Sequence, residues 1–277
     1  MTWNQQYIEI NQTKIFCNQK IHSKSSINII VTHTPIVSTV DIQNIYEPLT
    51  KYPVNIFAID FSGTGYSENT KYLSRSSIVS DLDAIVAHIQ AEYSEVVFLF
   101  GNAGIGGILA QYYVQARNNV KGFAQFACMS YGDTQGMGYP TFLVKLCCPI
   151  LRVLPNFKIV MKPPKYTGYH AKLDEDVYLK MTKGRKDFWK TDSKFLLTLL
   201  EMAVDRNSAL QKKSTTPTLV FKTNYDRYFS QAHFDTYYDN LTCPKRMIEI
   251  NDVHNSYAIH CEYFCKEAYD WFVKQLD

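Results

Sequence analysis

One stretch limits the chain's fold more than any other: Val96-Val97-Phe98-Leu99-Phe100, then Gly101-Asn102-Ala103-Gly104-Ile105-Gly106-Gly107, then Ile108-Leu109-Ala110-Gln111. Five apolar residues suffice for one buried strand. The glycines turn the chain sharply, and the apolar run that continues through Tyr112, Tyr113 and Val114 suits a helix. A buried strand that feeds a helix through a tight turn needs further strands beside it and helices across both faces.

The rest of the chain supplies them. Tyr7 to Asn11 alternates, Gln12-Thr13 turns, and Lys14 to Cys17 resumes, which reads as an antiparallel hairpin at a sheet edge. Ile27 to Thr32 and Val54 to Ile59 are further strands rich in β-branched residues, and Gly122 to Met129 is another. Ile78, Leu82, Ile85 and Ile89 recur at helical spacing between two of them. Strands separated by such helical runs imply right-handed βαβ units and a mostly parallel sheet. From Tyr131 to about Leu210 the alternation stops and prolines and helix-like pieces such as Phe195 to Val204 take over. It resumes with Thr216-Pro217-Thr218-Leu219-Val220-Phe221, ending at Asp226, and with Lys245 to Ile250, followed by His254. An amphipathic closing helix with Phe264, Trp271 and Phe272 completes the pattern.

A strand–glycine–helix turn of this kind is the frame of the nucleophile elbow, and the sequence resembles the α/β-hydrolase fold over nearly its whole length. Family members commonly read Gly-x-Ser-x-Gly-Gly ahead of the helix. Aligning Gly106-Gly107 with that ending puts Gly104 at the nucleophile position and Asn102 where the first glycine is usual. Aligning on Gly101 instead puts Ala103 there, at the cost of one extra residue. Neither side chain can attack a carbonyl. The loop Asp60-Phe61-Ser62-Gly63-Thr64-Gly65-Tyr66-Ser67 resembles the family's Asp-x-x-Gly-x-Gly-x-Ser turn, a largely architectural element.

The resemblance implies a mostly parallel central sheet flanked by helices, with a core at 1–130 and 211–277 and a helical cap inserted at 131–210. It implies Asp226 as orienting acid and His254 as base, in the chain order elbow, acid, histidine. It also implies an oxyanion site built from the amide of Ile105 and the loop at His33-Thr34. Thr34 stands where the family has glycine, and Pro35 carries no N–H. His33 itself reads best as a strand-end histidine packed beneath that loop.

Composition narrows function further. The chain has 277 residues, 46% hydrophobic and 20% charged, with a net charge of +3. This charge is too mild to point to nucleic acid. The seven cysteines are an odd number, and Met1 to Gln6 lack a basic or apolar leader pattern. A cytoplasmic protein with reduced thiols is the expectation. No 18-residue apolar run is present. No cysteine–histidine spacing suits a metal, and neither metal nor cofactor is expected. The apolar stretch Tyr139 to Met161, punctuated by Lys145, Arg152 and Lys158, reads as a cap helix over the ligand pocket in preference to a membrane-surface helix.

Three functions stay open at this point. One is a pseudohydrolase that binds a small apolar ligand or a protein partner. The second is an enzyme using the His254–Asp226 dyad for general-base chemistry with no covalent step. The third is an esterase-type serine hydrolase whose nucleophile has been substituted.

Overall fold

Each strand-forming run singled out above pairs into one eight-stranded sheet in the computed structural model. The structure describes residues 3–10, 13–22, 27–68, 72–102, 104–126, 131–132, 134, 140–160, 168–181, 190–208 and 210–276. The strands in chain order are β1 (Asn4–Ile10), β2 (Thr13–Lys20), β3 (Asn28–Thr32), β4 (Asn55–Ile59), β5 (Val97–Gly101), β6 (Gly122–Phe126), β7 (Lys158–Val160), β8 (Lys190–Asp192), β9 (Thr218–Tyr225) and β10 (Lys245–Val253). The main sheet runs β1-β2-β4-β3-β5-β6-β9-β10. β1, β2 and β4 pair antiparallel, and the pairs from β4 through β10 are parallel. β7 and β8 form a separate antiparallel pair.

The central strands are buried on both faces, which explains their near-continuous apolar sequence. Ile30, Phe57 and Leu99 pack on one side with Leu82, Ile85 and Leu109. Their neighbours Ile29, Ala58 and Phe98 pack on the other side with Phe264 and Phe272. The helices that supply those layers are α1 (Gln43–Tyr46), α2 (Arg75–Glu92), α3 (Ile105–Ala116), α4 (Thr141–Val153), α5 (Tyr169–Met181), α6 (Ser193–Ala203), α7 (Gln231–Asn240) and α8 (Cys261–Val273). α2 starts at a capping box, in which Ser74 accepts from the Ser77 amide and the Ser77 hydroxyl caps in return.

Two glycines let α3 lie directly on the sheet. A Cβ on Gly106 would sit 2.6 Å from the Cα of His33 and 2.8 Å from the Thr32 carbonyl oxygen. A Cβ on Gly101 would sit 2.6 Å from the Cα of Gly107. Helix and strands therefore meet backbone to backbone, which fixes where the first turn of α3 points.

Between β6 and β9 lie α4, α5, α6 and the β7–β8 pair. Val144 and Cys148 of α4 pack against Leu197 and Leu200 of α6. The inward-facing reading of the 139–161 stretch needs correction in part, because Phe142, Leu146, Ile150 and Val153 of the same helix are 68%, 59%, 50% and 83% exposed. Cys17, Cys147, Cys148, Cys243, Cys261 and Cys265 are free thiols, with Cys147 exposed and Cys17, Cys148 and Cys265 buried. Cys128 lies outside the described residues.

Candidate active site

Strand register assembles the site. Thr32 pairs with Gly101, so the loop at His33-Thr34 and the elbow leave the sheet at the same carboxyl edge. β10 pairs with β9 in parallel, with Val253 opposite Tyr225 after a register shift past Ile250. Asp226 and His254 each follow that last pair by one residue. This is why residues 28 positions apart meet side by side. Ligands of open parallel sheets gather at this edge.

The elbow turns at Gly104, whose φ of 56° and ψ of −91° place it outside the conformations that residues with a Cβ adopt readily. Its amide donates to the Phe126 carbonyl at 3.3 Å, and its own carbonyl accepts from Ile108 at 3.2 Å, which opens α3. Ala103, the other candidate for this position, lies outside the described residues.

The Asp226 side chain is fully buried and saturated with donors. Oδ1 accepts from the amides of Tyr228 at 2.8 Å and Phe229 at 2.9 Å. Oδ2 accepts from Thr223 Oγ1 at 2.9 Å and meets His254 Nδ1 at 2.7 Å. A carboxylate only accepts, so the network assigns the proton to Nδ1 and leaves Nε2 of the neutral ring as acceptor. That Nε2 faces the elbow: a Cβ on Gly104 would lie 3.4 Å from it and 3.7 Å from Phe229 Cε2. The ring centroid of Tyr228 lies 4.4 Å from that of His254 and the Phe229 ring 5.5 Å, so aromatic surfaces enclose the imidazole.

Burial pushes the His254 pKa down, but the charge and hydrogen bond of Asp226, with help from Asp174, more than offset it and hold it above the ordinary histidine value. Stability from this pair is therefore complete below the ordinary histidine value and is lost as pH rises through the raised one. Asp226→Asn should lower the midpoint at which the His254 ring titrates, read by NMR of the imidazole nitrogens. An unmoved midpoint would show that the carboxylate does not hold the proton.

The structure adds a residue that the sequence did not flag. Asp174 of α5 is fully buried, and its Oδ1 accepts from the amide of Asn255 at 2.8 Å, next to His254. Burial raises its pKa, against the lowering effects of the Asn255 amide and the nearby imidazole. It ties α5 to the histidine loop across 81 positions, and no local pattern announces such a contact.

The oxyanion side is uneven. Ile105 is the first residue of α3, so its amide has no partner within the helix and sits at the positive end of the helix dipole. The Thr34 carbonyl accepts from the Val37 amide at 3.3 Å and meets His33 Nδ1 at 2.8 Å. His33 Nε2 meets Asp60 Oδ1 at 2.9 Å, and both side chains are 0% exposed. The two ring nitrogens of His33 thus face the Thr34 carbonyl and the Asp60 carboxylate at the end of β4, so the ring lies beneath the loop and supports it. Among the described residues no group of three or more His, Cys, Asp or Glu side chains could hold a metal.

A model of the serine aminopeptidase, S33 family matches residues 24–253, most of the chain. The chain belongs to that family. A comparison of this family member with curated protein sequences finds no match. Among solved structures it is similar to a monoacylglycerol lipase from Paleococcus ferrophilus, with a TM-score of 0.73 and 16% identity over 94% of this chain and 99% of the other. It is also similar to the α/β hydrolase GrgF from Penicillium sp. sh18, with a TM-score of 0.74 and 11% identity over 99% of both chains. An enol-lactonase from Burkholderia xenovorans gives 0.69 and 14% identity over 96% and 99%. At these identities the likeness is one of fold, and it assigns the α/β-hydrolase architecture to this serine aminopeptidase family member.

Proposed function

We propose that the protein is a pseudohydrolase: an α/β hydrolase that retains the base and its orienting acid and has lost the serine. The observation that carries this reading is Gly104 at the elbow, with its absent Cβ facing His254 Nε2. A Ser-His-Asp site needs the imidazole to take a hydroxyl proton, and here no hydroxyl stands at that position. In this reading residues 1–130 and 211–277 form the core, and 131–210 form a cap that sets what binds. The bound species is a small apolar ligand or a protein partner, held without covalent chemistry in a cytoplasmic protein. Gly104, Asp226 and His254 define the remnant site, with Ile105 and Thr34 at its oxyanion edge. The test is labelling of the wild-type protein with a fluorophosphonate probe. The expected result is no adduct on any serine of this site, with ester turnover at background. A labelled serine against His254 overturns the proposal.

The acceptor Nε2 favours a second reading, in which the dyad acts as a general base on water or on the substrate itself. Under it, some ester, thioester or hydroxy-carbonyl substrate turns over, and His254→Ala lowers the rate by about 10²-fold or more. Under the first reading, His254→Ala leaves the background rate unchanged.

A further inference from the structure

We infer that α4 and the turn after it form a docking face for an anionic lipid bilayer surface. This does not depend on whether the Gly104–His254 site is catalytic. Phe142, Leu146, Ile150 and Val153 follow one another by four, four and three positions, so they form a single stripe along the helix. They are 50–83% exposed, and Phe157 and Val160 extend the exposed surface beyond the helix end at 44% and 56%. The helix does not lack a core contact that this stripe should have filled. Its opposite side already packs through Val144 and Cys148 onto α6. Its end is fixed as well: Lys194 Nζ donates to the carbonyls of Leu151, Arg152 and Leu154 at 2.8, 3.0 and 2.6 Å. The stripe is therefore an outward surface on an anchored helix. A contiguous apolar surface of this kind marks a contact site.

Charge identifies the occupant. From Thr134 to Leu173 the sequence holds Lys145, Arg152, Lys158, Lys162, Lys165 and Lys172 and not one Asp or Glu, while the rest of the chain is net acidic. Lys145, Arg152 and Lys158 are exposed around the stripe. Arg152 and Lys158 also reach Glu201 and Asp192, but the two cations are themselves 64% and 70% exposed, which leaves them open to a second anion. An apolar helical stripe with cations around it and no acidic residue in its own stretch of sequence is the composition of a helix that lies in the plane of an anionic interface.

The experiment is co-sedimentation of the full chain with vesicles of phosphatidylcholine alone and of phosphatidylcholine with about a third phosphatidylglycerol. Partitioning onto the anionic vesicles should be at least about 10-fold stronger at low salt. It should fall steeply toward 1 M salt, where the Debye length shrinks to about 3 Å. The Leu146→Asp, Ile150→Asp double variant should lose about 10-fold or more on anionic vesicles while melting as the wild type does. The Lys145→Glu, Lys158→Glu double variant should lose its preference for anionic over neutral vesicles. Equal or absent partitioning on the two vesicle types overturns the inference. So does a concentration-dependent dimer that the Leu146→Asp, Ile150→Asp variant dissolves, which would make a second copy of the chain the occupant.

Discussion

Gly104→Ser should convert the protein into one that forms an acyl-enzyme. The new Cβ falls 3.4 Å from His254 Nε2, so a hydroxyl one bond further out can give its proton to the ring. His254 is already oriented by Asp226 at 2.7 Å, and the helix amide of Ile105 is in place. In a serine protease, loss of the nucleophile costs on the order of 10⁶-fold in kcat. Regaining it here should return less, because Pro35 removes an amide from the loop opposite Ile105, and one missing oxyanion donor costs about 10²–10³-fold. The net expectation is a rise in p-nitrophenyl ester cleavage of roughly 10³–10⁴-fold, with a burst. Fluorophosphonate labelling should map to residue 104 and vanish when His254→Ala is added. The gain has a structural cost. Serine must adopt a φ of 56°, which should lower stability by about 1–3 kcal/mol. A folded Gly104→Ser variant that neither labels nor cleaves would mean that the imidazole and the elbow do not cooperate. The remnant-site reading would then fail.

The elbow and the dyad were legible in the sequence because each follows directly from a strand. The glycines at 101, 106 and 107 announce a close strand–helix contact, and Asp226 and His254 each stand just past a β-rich run. Parallel pairing, with the register shift past Ile250, then brings Asp226 and His254 together. Contacts that depend on docking between distant segments were not legible. Asp174 sits in a segment with no strong period, and its role depends on where α5 lands against Asn255. The outward stripe of α4 has the same 3.6-residue spacing as a buried one, and only its neighbours decide which face is covered. β7, β8, α5 and α7 went unread for a related reason. Three-residue strands such as Lys158–Val160 carry too few side chains to show alternation. His33 was readable as a residue but not as a pair, since Asp60 lies 27 positions away.

That pair carries the second large expectation. Asp60 is fully buried and accepts four hydrogen bonds: from His33 Nε2 at 2.9 Å, the Thr39 amide at 2.8 Å, Ser38 Oγ at 2.9 Å and the Tyr66 amide at 2.9 Å. It thus joins the loop after β3, the end of β4 and the glycine turn that follows. Asp60→Ala strands several buried donors at once, and breaking a buried charged network by removing one partner costs about 3–5 kcal/mol. Against a total stability of about 5–15 kcal/mol this is a large share, and it should appear as a fall in melting temperature of roughly 6–20 °C. Asp60→Asn keeps the volume but turns one acceptor into a donor that faces other donors, so it should rescue only part of the loss. The charge also gives the effect a pH signature. Burial pushes the Asp60 carboxyl up, but the hydrogen bond and charge of His33 and the amides of Tyr66 and Thr39 outweigh it and hold the carboxyl below its ordinary value. The unfolded chain therefore takes up this proton first as the solution is acidified. The stability gap between wild type and Asp60→Asn should be constant above the ordinary carboxylate pKa. It should narrow as pH falls through the lowered value, as read from denaturant melts across the acid range. A gap that stays flat through that range would mean that the carboxylate's charge plays no part in holding the loop over the elbow.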